Sequence, residues 1–194
     1  MKLLSDIGLE RSNLFAAATA QRLRNERGVD VAVLRLMIVS SGIAIDAPAQ
    51  TVWSILVDLP RYAEWNPFIK RAWGSVELGG VVHVRVAALR GMPWLGFSAT
   101  ILEREDGRLL HWRGTFGGSW LGSGDHRFEI ESIGEGRVRL TQSERFGGLL
   151  ASVLGSRFAP QVRAGFDAMN LALATRAKRA SAAADPGRAR NEST

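Results

Sequence analysis

Residues 69–146 read as six short strands in succession, joined by turns too short to carry the chain across a sheet. The period-two signal is strong. Val82, Val84 and Val86 alternate with His83 and Arg85; Phe97, Ala99 and Ile101 share a face; Leu110, Trp112, Gly114 and Phe116 alternate with His111, Arg113 and Thr115. Gly79-Gly80, Asp106-Gly107 and Gly134-Glu135-Gly136 supply the turns. Turns this short make neighbouring strands antiparallel. An antiparallel meander buries one face and wets the other, so something must cover the buried face. The strands expected are 69–77, 81–89, 94–105, 108–116, 125–133 and 137–146. The one element long enough to cover them is 149–178, a helix with an interruption expected near Pro160 and a buried stripe of Leu154, Phe158, Val162, Phe166, Met169 and Leu173. From Pro160 to Lys178 it spans about 28 Å.

Ahead of the meander, residues 37–45 (MIVSSGIAI) form a first strand, and residues 47–68 form a strand-to-strand link of two short helices. Asp46 or Ala47 caps the first helix and Pro48 suits its first turn. Val52, Ile55, Leu56 and Leu59 make one apolar face, and Pro60 ends the helix. Residues 61–64 allow one more turn before Trp65-Asn66-Pro67-Phe68 sends the chain back into the sheet. The class is therefore α+β: about seven antiparallel strands, two short helices after the first strand, and one long C-terminal helix. The inward faces mix large aromatics with Gly and Ala, which shapes a hollow rather than an evenly filled core.

Charge and composition narrow the function classes. The net charge is +6, but residues 1–36 hold six Lys/Arg against four Asp/Glu and residues 176–194 hold five against two, which leaves the centre nearly neutral. A basic excess confined to the ends argues against a nucleic-acid partner and allows weak attraction of the termini to an anionic membrane surface. With no cysteine there is no disulfide framework, thiol nucleophile or Cys-based metal site. No apolar run approaches the roughly 20 residues of a membrane span, and Asp6, Glu10 and Arg11 break up any leader-like segment. The expectation is a cytoplasmic protein of one domain, 37–178, with a helix-like extension at 1–36 and a disordered tail at 179–194. Met37 is an alternative start. Oligomeric state is not readable.

The order of elements, with A-P-A-Q-T-V-W at 47–53, Y-A-E-W-N-P-F at 62–68, H-R-F-E-I at 126–130, T-Q-S-E-R-F-G-G-L-L at 141–150 and F-D-A-M-N at 166–170, resembles the START-like (SRPBCC) helix-grip superfamily, and within it the polyketide cyclase/dehydrase-like branch. The resemblance covers roughly 37–178. It implies a curved sheet wrapped around the last helix and an apolar cavity between them for a lipid, polyketide or other small hydrophobe. It implies no single reaction, no cofactor and no metal. The residues placed to line such a cavity are Val84, Phe97, Trp112, Phe116, Phe128, Gln142 and Phe146 on the sheet and Phe158, Val162, Phe166 and Met169 on the helix. Trp65, Phe68 and Trp120 stand at its edge.

His126 and Glu144 are the polar pair to watch. Each shares a strand face with apolar residues: His126 with Phe128 and Ile130, Glu144 with Val138, Leu140, Gln142 and Phe146. A three-residue loop at 134–136 sets Ile133 opposite Arg137 and His126 opposite Glu144, whereas a two-residue loop turns the two apolar faces apart. Opposed residues have Cβ atoms about 5 Å apart. The pair satisfies itself and fixes the register, or Glu144 orients His126 to anchor or protonate a ligand, or one or both side chains point outward. His83 and His111 fall on outward faces, against a three-histidine metal site. Residues 117–124 make a glycine-rich flap, without the Lys of a phosphate loop. Ser119 and Ser123 lack a His/Asp arrangement for hydrolysis. The expected function is binding, as carrier or sensor, of a small hydrophobic molecule. The alternatives are a cyclase or dehydratase using His126 and Glu144, and an accessory protein held to a membrane or partner by its termini.

Overall fold

The computed structural model describes residues 37–87, 95–116 and 121–184. The expected N-terminal helix, Trp94, Trp120 and residues 185–194 lie outside them. Seven strands, β1 (Met37–Ile45), β2 (Ile69–Gly74), β3 (Val81–Val86), β4 (Leu95–Glu105), β5 (Leu109–Phe116), β6 (Gly122–Gly134) and β7 (Arg137–Gly147), form one antiparallel sheet in the order β1-β7-β6-β5-β4-β3-β2. The curled sheet closes around the long helix α3 (Leu149–Ala184), with α1 (Ala49–Val57), a 3₁₀ turn (Leu59–Arg61) and α2 (Tyr62–Trp65) linking β1 to β2. This is the helix-grip arrangement. The return of β7 beside β1 puts the first strand at one edge and leaves β2 at the other.

Local chemistry explains the link. Pro48, extended at φ −62° and ψ 149°, is itself the N-cap of α1, and no side chain caps it. Its carbonyl accepts from the N–H groups of Thr51 and Val52 at 3.0 and 3.2 Å. Neither Asp46 nor Ala47 serves, because the proline already fixes the entry angle. Val52, Trp53, Leu56 and Leu59 are buried in the apolar core between the sheet and α3. In the Trp-Asn-Pro turn the Asn66 Oδ1 accepts from the N–H groups of Phe68 at 2.9 Å and Ile69 at 2.8 Å, which tethers the start of β2.

Several boundaries differ from expectation for physical reasons. α3 runs unbroken through Pro160, which is exposed. Packing of α3 against the sheet outweighs one lost helix donor. The helix also extends to Ala184, so 179–184 is helix rather than tail; Ala at four of those six positions favours it. Gly122, Ser123 and Gly124 belong to β6, paired with Phe116, Thr115 and Gly114, and not to a flap. β2 stops at Gly74 and β3 at Val86. At the last hairpin Gly134, not Ile133, faces Arg137; Glu135-Gly136 is a two-residue turn, with Gly136 at φ +61°. A register shift at Ile133 restores the even pairing, so Ser132 faces Val138 and His126 faces Glu144.

Tyr62, the only tyrosine, is fully buried and donates its hydroxyl to the Leu56 carbonyl at 2.6 Å. Burial first, then the nearby Asp58 charge, push its pKa far above the usual phenol value. Above pH about 10 the unfolded chain loses this proton and the folded chain keeps it. Stability is thus undiminished by Tyr62 below that pH and declines above it. Tyrosinate absorbance should rise only with the loss of circular dichroism; tyrosinate appearing near pH 10 in a native fold would contradict this.

Candidate functional site

The register brings the inward residues into ranks across the sheet. One rank is Ile101, Trp112, His126, Glu144 and Val39; the next on one side is Leu110, Phe128, Gln142 and Ser41; on the other it is Ala99, Gly114, Gly124, Phe146 and Met37. His126, 4% exposed, stacks on Phe128 with ring centroids 4.3 Å apart, and lies 4.9 Å from Phe166 and 5.3 Å from Trp112. Its Nδ1 is 3.4 Å from a Glu144 carboxylate oxygen. Its Nε2 is buried and has no hydrogen-bond partner among the described residues. An imidazole nitrogen left bare among three aromatic rings is costly unless something else partners it.

Gly124 makes the pair possible. A Cβ there would stand 2.4 Å from the Glu144 Oε1, so the carboxylate occupies the space a side chain would take. Gly114 does the same for Phe97, whose ring would lie 2.9 Å from a Cβ. The core is divided at this level. One apolar cluster joins Trp112, Phe128 and Val84 of the sheet and the buried residues of α1 to Met169 and Leu173 of α3; a second joins Val39 of β1 to Val162 and Phe166, earlier on α3, with Phe68 and Phe146 against it. His126 sits at the seam, touching rings of both.

A second polar group crosses the core beside it. Gln142 Nε2 donates to Asn170 Oδ1 at 2.5 Å, Asn170 Nδ2 donates to Ser41 Oγ at 3.0 Å, and Ser41 donates to the Asp167 carboxylate. A carboxylate only accepts, so Asp167 sets the direction of the whole chain of bonds. Gln142 Oε1 is left without a partner among the described residues.

A family model described as polyketide cyclase/dehydrase and lipid transport matches residues 37–178. The chain belongs to that family. Among solved structures it is similar to a START superfamily protein from Mycobacterium smegmatis, at 20% identity and TM-score 0.60, covering 74% of this chain and 98% of that one. It is also similar to the Zhui aromatase/cyclase from Streptomyces sp. R1128, at 19% identity and TM-score 0.52, covering 75% and 95%. TTHA0849 from Thermus thermophilus matches at 14% identity and TM-score 0.59, covering 74% and 99%. At such identities the likeness is one of fold. No curated protein matches the sequence.

For a member of the polyketide cyclase/dehydrase and lipid transport family, the ligand-lining residues expected from sequence divide in two. Phe128, Gln142, Phe166 and Met169 show no free surface, and Trp112, Val84 and Val162 show little. They are packed into the apolar core. Phe68, Phe97, Glu144, Phe146 and Phe158 are half-buried. Phe68 packs edge-on to Phe166 at 5.7 Å and over Gly165, where any Cβ would meet its ring. Trp65 leans on Tyr62 at 5.1 Å, and its buried Nε1 has no partner among the described residues. Phe116 ends β5, and Trp120 lies outside the described residues. Sequence reasoning missed Ser41, Asp167 and Asn170. Asn170 was accessible to it: positions 166, 169, 170 and 173 follow helical spacing, so an Asn there had to be buried and partnered.

The two other histidines lie on the convex face. His83 Nδ1 meets Ser98 Oγ at 2.7 Å. His111 is nonetheless 7% exposed, because Glu103 at 3.0 Å and Asp125 at 3.2 Å close over its two nitrogens. The His111 hydrogen bond, with Arg127 alongside, holds the Glu103 pKa below its usual value. Among the described residues no helix is long and apolar enough to cross a membrane.

Proposed function

We propose that this chain binds a small hydrophobic molecule, as a carrier or sensor, between the sheet and α3, with His126 as the polar anchor. The observation that carries the reading is the unpartnered Nε2 of His126, buried at the seam of two apolar clusters with Glu144 behind its other nitrogen. With a Glu144 oxygen 3.4 Å from Nδ1, a proton on Nδ1 faces the carboxylate, and Nε2 is left to accept from a ligand hydroxyl or, in the doubly protonated ring, to donate to a ligand carbonyl. The guest enters where side chains are half-buried, along Phe68, Phe97, Glu144 and Phe146, and rests on the packed core. Burial of its apolar surface at about 25 cal/mol per Å² supplies the affinity and the anchor sets its orientation.

Native mass spectrometry of the purified chain should recover a bound lipid or aromatic compound. His126→Ala should weaken affinity for that compound by about tenfold, the loss of one buried hydrogen bond. Unchanged affinity would rule out the anchor. A second reading is favoured by the same dyad: with Glu144 holding Nδ1, Nε2 can take and return a proton during cyclisation or dehydration of a polyketide-like substrate. Turnover that survives loss of both side chains would exclude it.

A further inference from the structure

The β2–β3 hairpin carries a surface that the ligand site does not use. β2 is an end strand of the sheet. On its convex side Trp73 is 41% exposed, stacked on His83 with centroids 5.3 Å apart. The guanidinium carbons of Arg71 and Arg85 lie 5.7 and 5.9 Å from the Trp73 ring centre. A register shift between Ile69 and Arg71 adds Lys70 to the same exposed stretch. Beyond Trp73 the hairpin ends in Leu78, 70% exposed at the turn, and Val81, 44% exposed on the outer face. Cations therefore give way to aliphatic side chains along one hairpin.

The charges here are unlike those on β4 to β6 of that face. On β4 to β6, Glu103, Asp125 and Glu129 are each held by an arginine. Lys70, Arg71 and Arg85 have no carboxylate within ion-pair distance among the described residues; Glu77, in the turn, is taken by Arg104. We propose that this hairpin docks the protein on an anionic phospholipid bilayer. Lys70, Arg71 and Arg85 meet headgroup phosphates, Trp73 sits at the interface, and Leu78 and Val81 reach the acyl boundary. A nucleic acid satisfies the cations but leaves Leu78 and Val81 in water. A second copy adding a strand is opposed by the bulge and by the charged side chains on this edge. The proposal is independent of the ligand reading.

The test is co-sedimentation of the full chain with vesicles of phosphatidylcholine alone or mixed with phosphatidylglycerol. Binding is expected only to the anionic vesicles, weakening with salt. Arg85→Glu and Leu78→Asp, both at exposed positions, should each lower the partition coefficient about tenfold. Arg145→Glu changes net charge as much as Arg85→Glu but lies on β7, far along the sheet order, and should leave most of the binding intact. Equal binding to both vesicle types, an Arg145→Glu loss as large as that of Arg85→Glu, or binding unaltered by Leu78→Asp would each overturn the proposal. So would retention by RNA or an acidic protein without retention by vesicles.

Discussion

Phe166→Ala is expected to cost about 3–5 kcal/mol of unfolding free energy, the range for truncating a buried aromatic. Phe166 is fully buried on α3, with Phe68 edge-on at 5.7 Å and His126 at 4.9 Å. The void left cannot collapse easily. Phe68 is already pressed against the backbone of Gly165, and the His126 ring is held between Phe128 and Glu144. The cavity term therefore adds to the transfer term. Urea denaturation measures it through a lower midpoint at unchanged slope. A loss below about 1.5 kcal/mol would mean that α3 sits loosely against β1 and β7.

Asn170→Ala is expected to cost about 3 kcal/mol, although it removes less volume. The Gln142 donor and one Ser41 acceptor, at 0% and 5% exposure, lose their partner together, and water has no surface to reach Gln142. Replacing both Gln142 and Asn170 by leucine should recover most of that loss. Gln142 Oε1 is unpartnered already, and Ser41 still donates to Asp167. Urea denaturation of the single and double variants is the comparison. A double variant less stable than Asn170→Ala would show that the amides hold α3 in a position apolar packing cannot reproduce.

Much of this fold is legible in the sequence because its strands alternate cleanly and its turns are marked by glycine. The facing of His126 and Glu144 followed from face parity alone, since only even pairing puts both apolar faces on one side. The turn that produces it was misread, because a bulge and a longer loop have the same parity and no residue type separates them. α3 was expected to break at Pro160 on local propensity, and tertiary packing overrode it. The seat for Glu144 was not legible. It depends on Gly124 lying diagonally across two strands, and a glycine in a strand signals close approach without naming what approaches.

The register shift at Ile133 has an evolutionary corollary. Gly134 already faces Arg137 and Ser132 already faces Val138, so Ile133 is surplus to the ladder. A descendant lacking that one codon closes the same hairpin with every rung from Ser132 inward unchanged. The dyad is buffered against a one-residue contraction at this tip, while a one-residue contraction between Ser132 and His126 would turn the imidazole toward solvent.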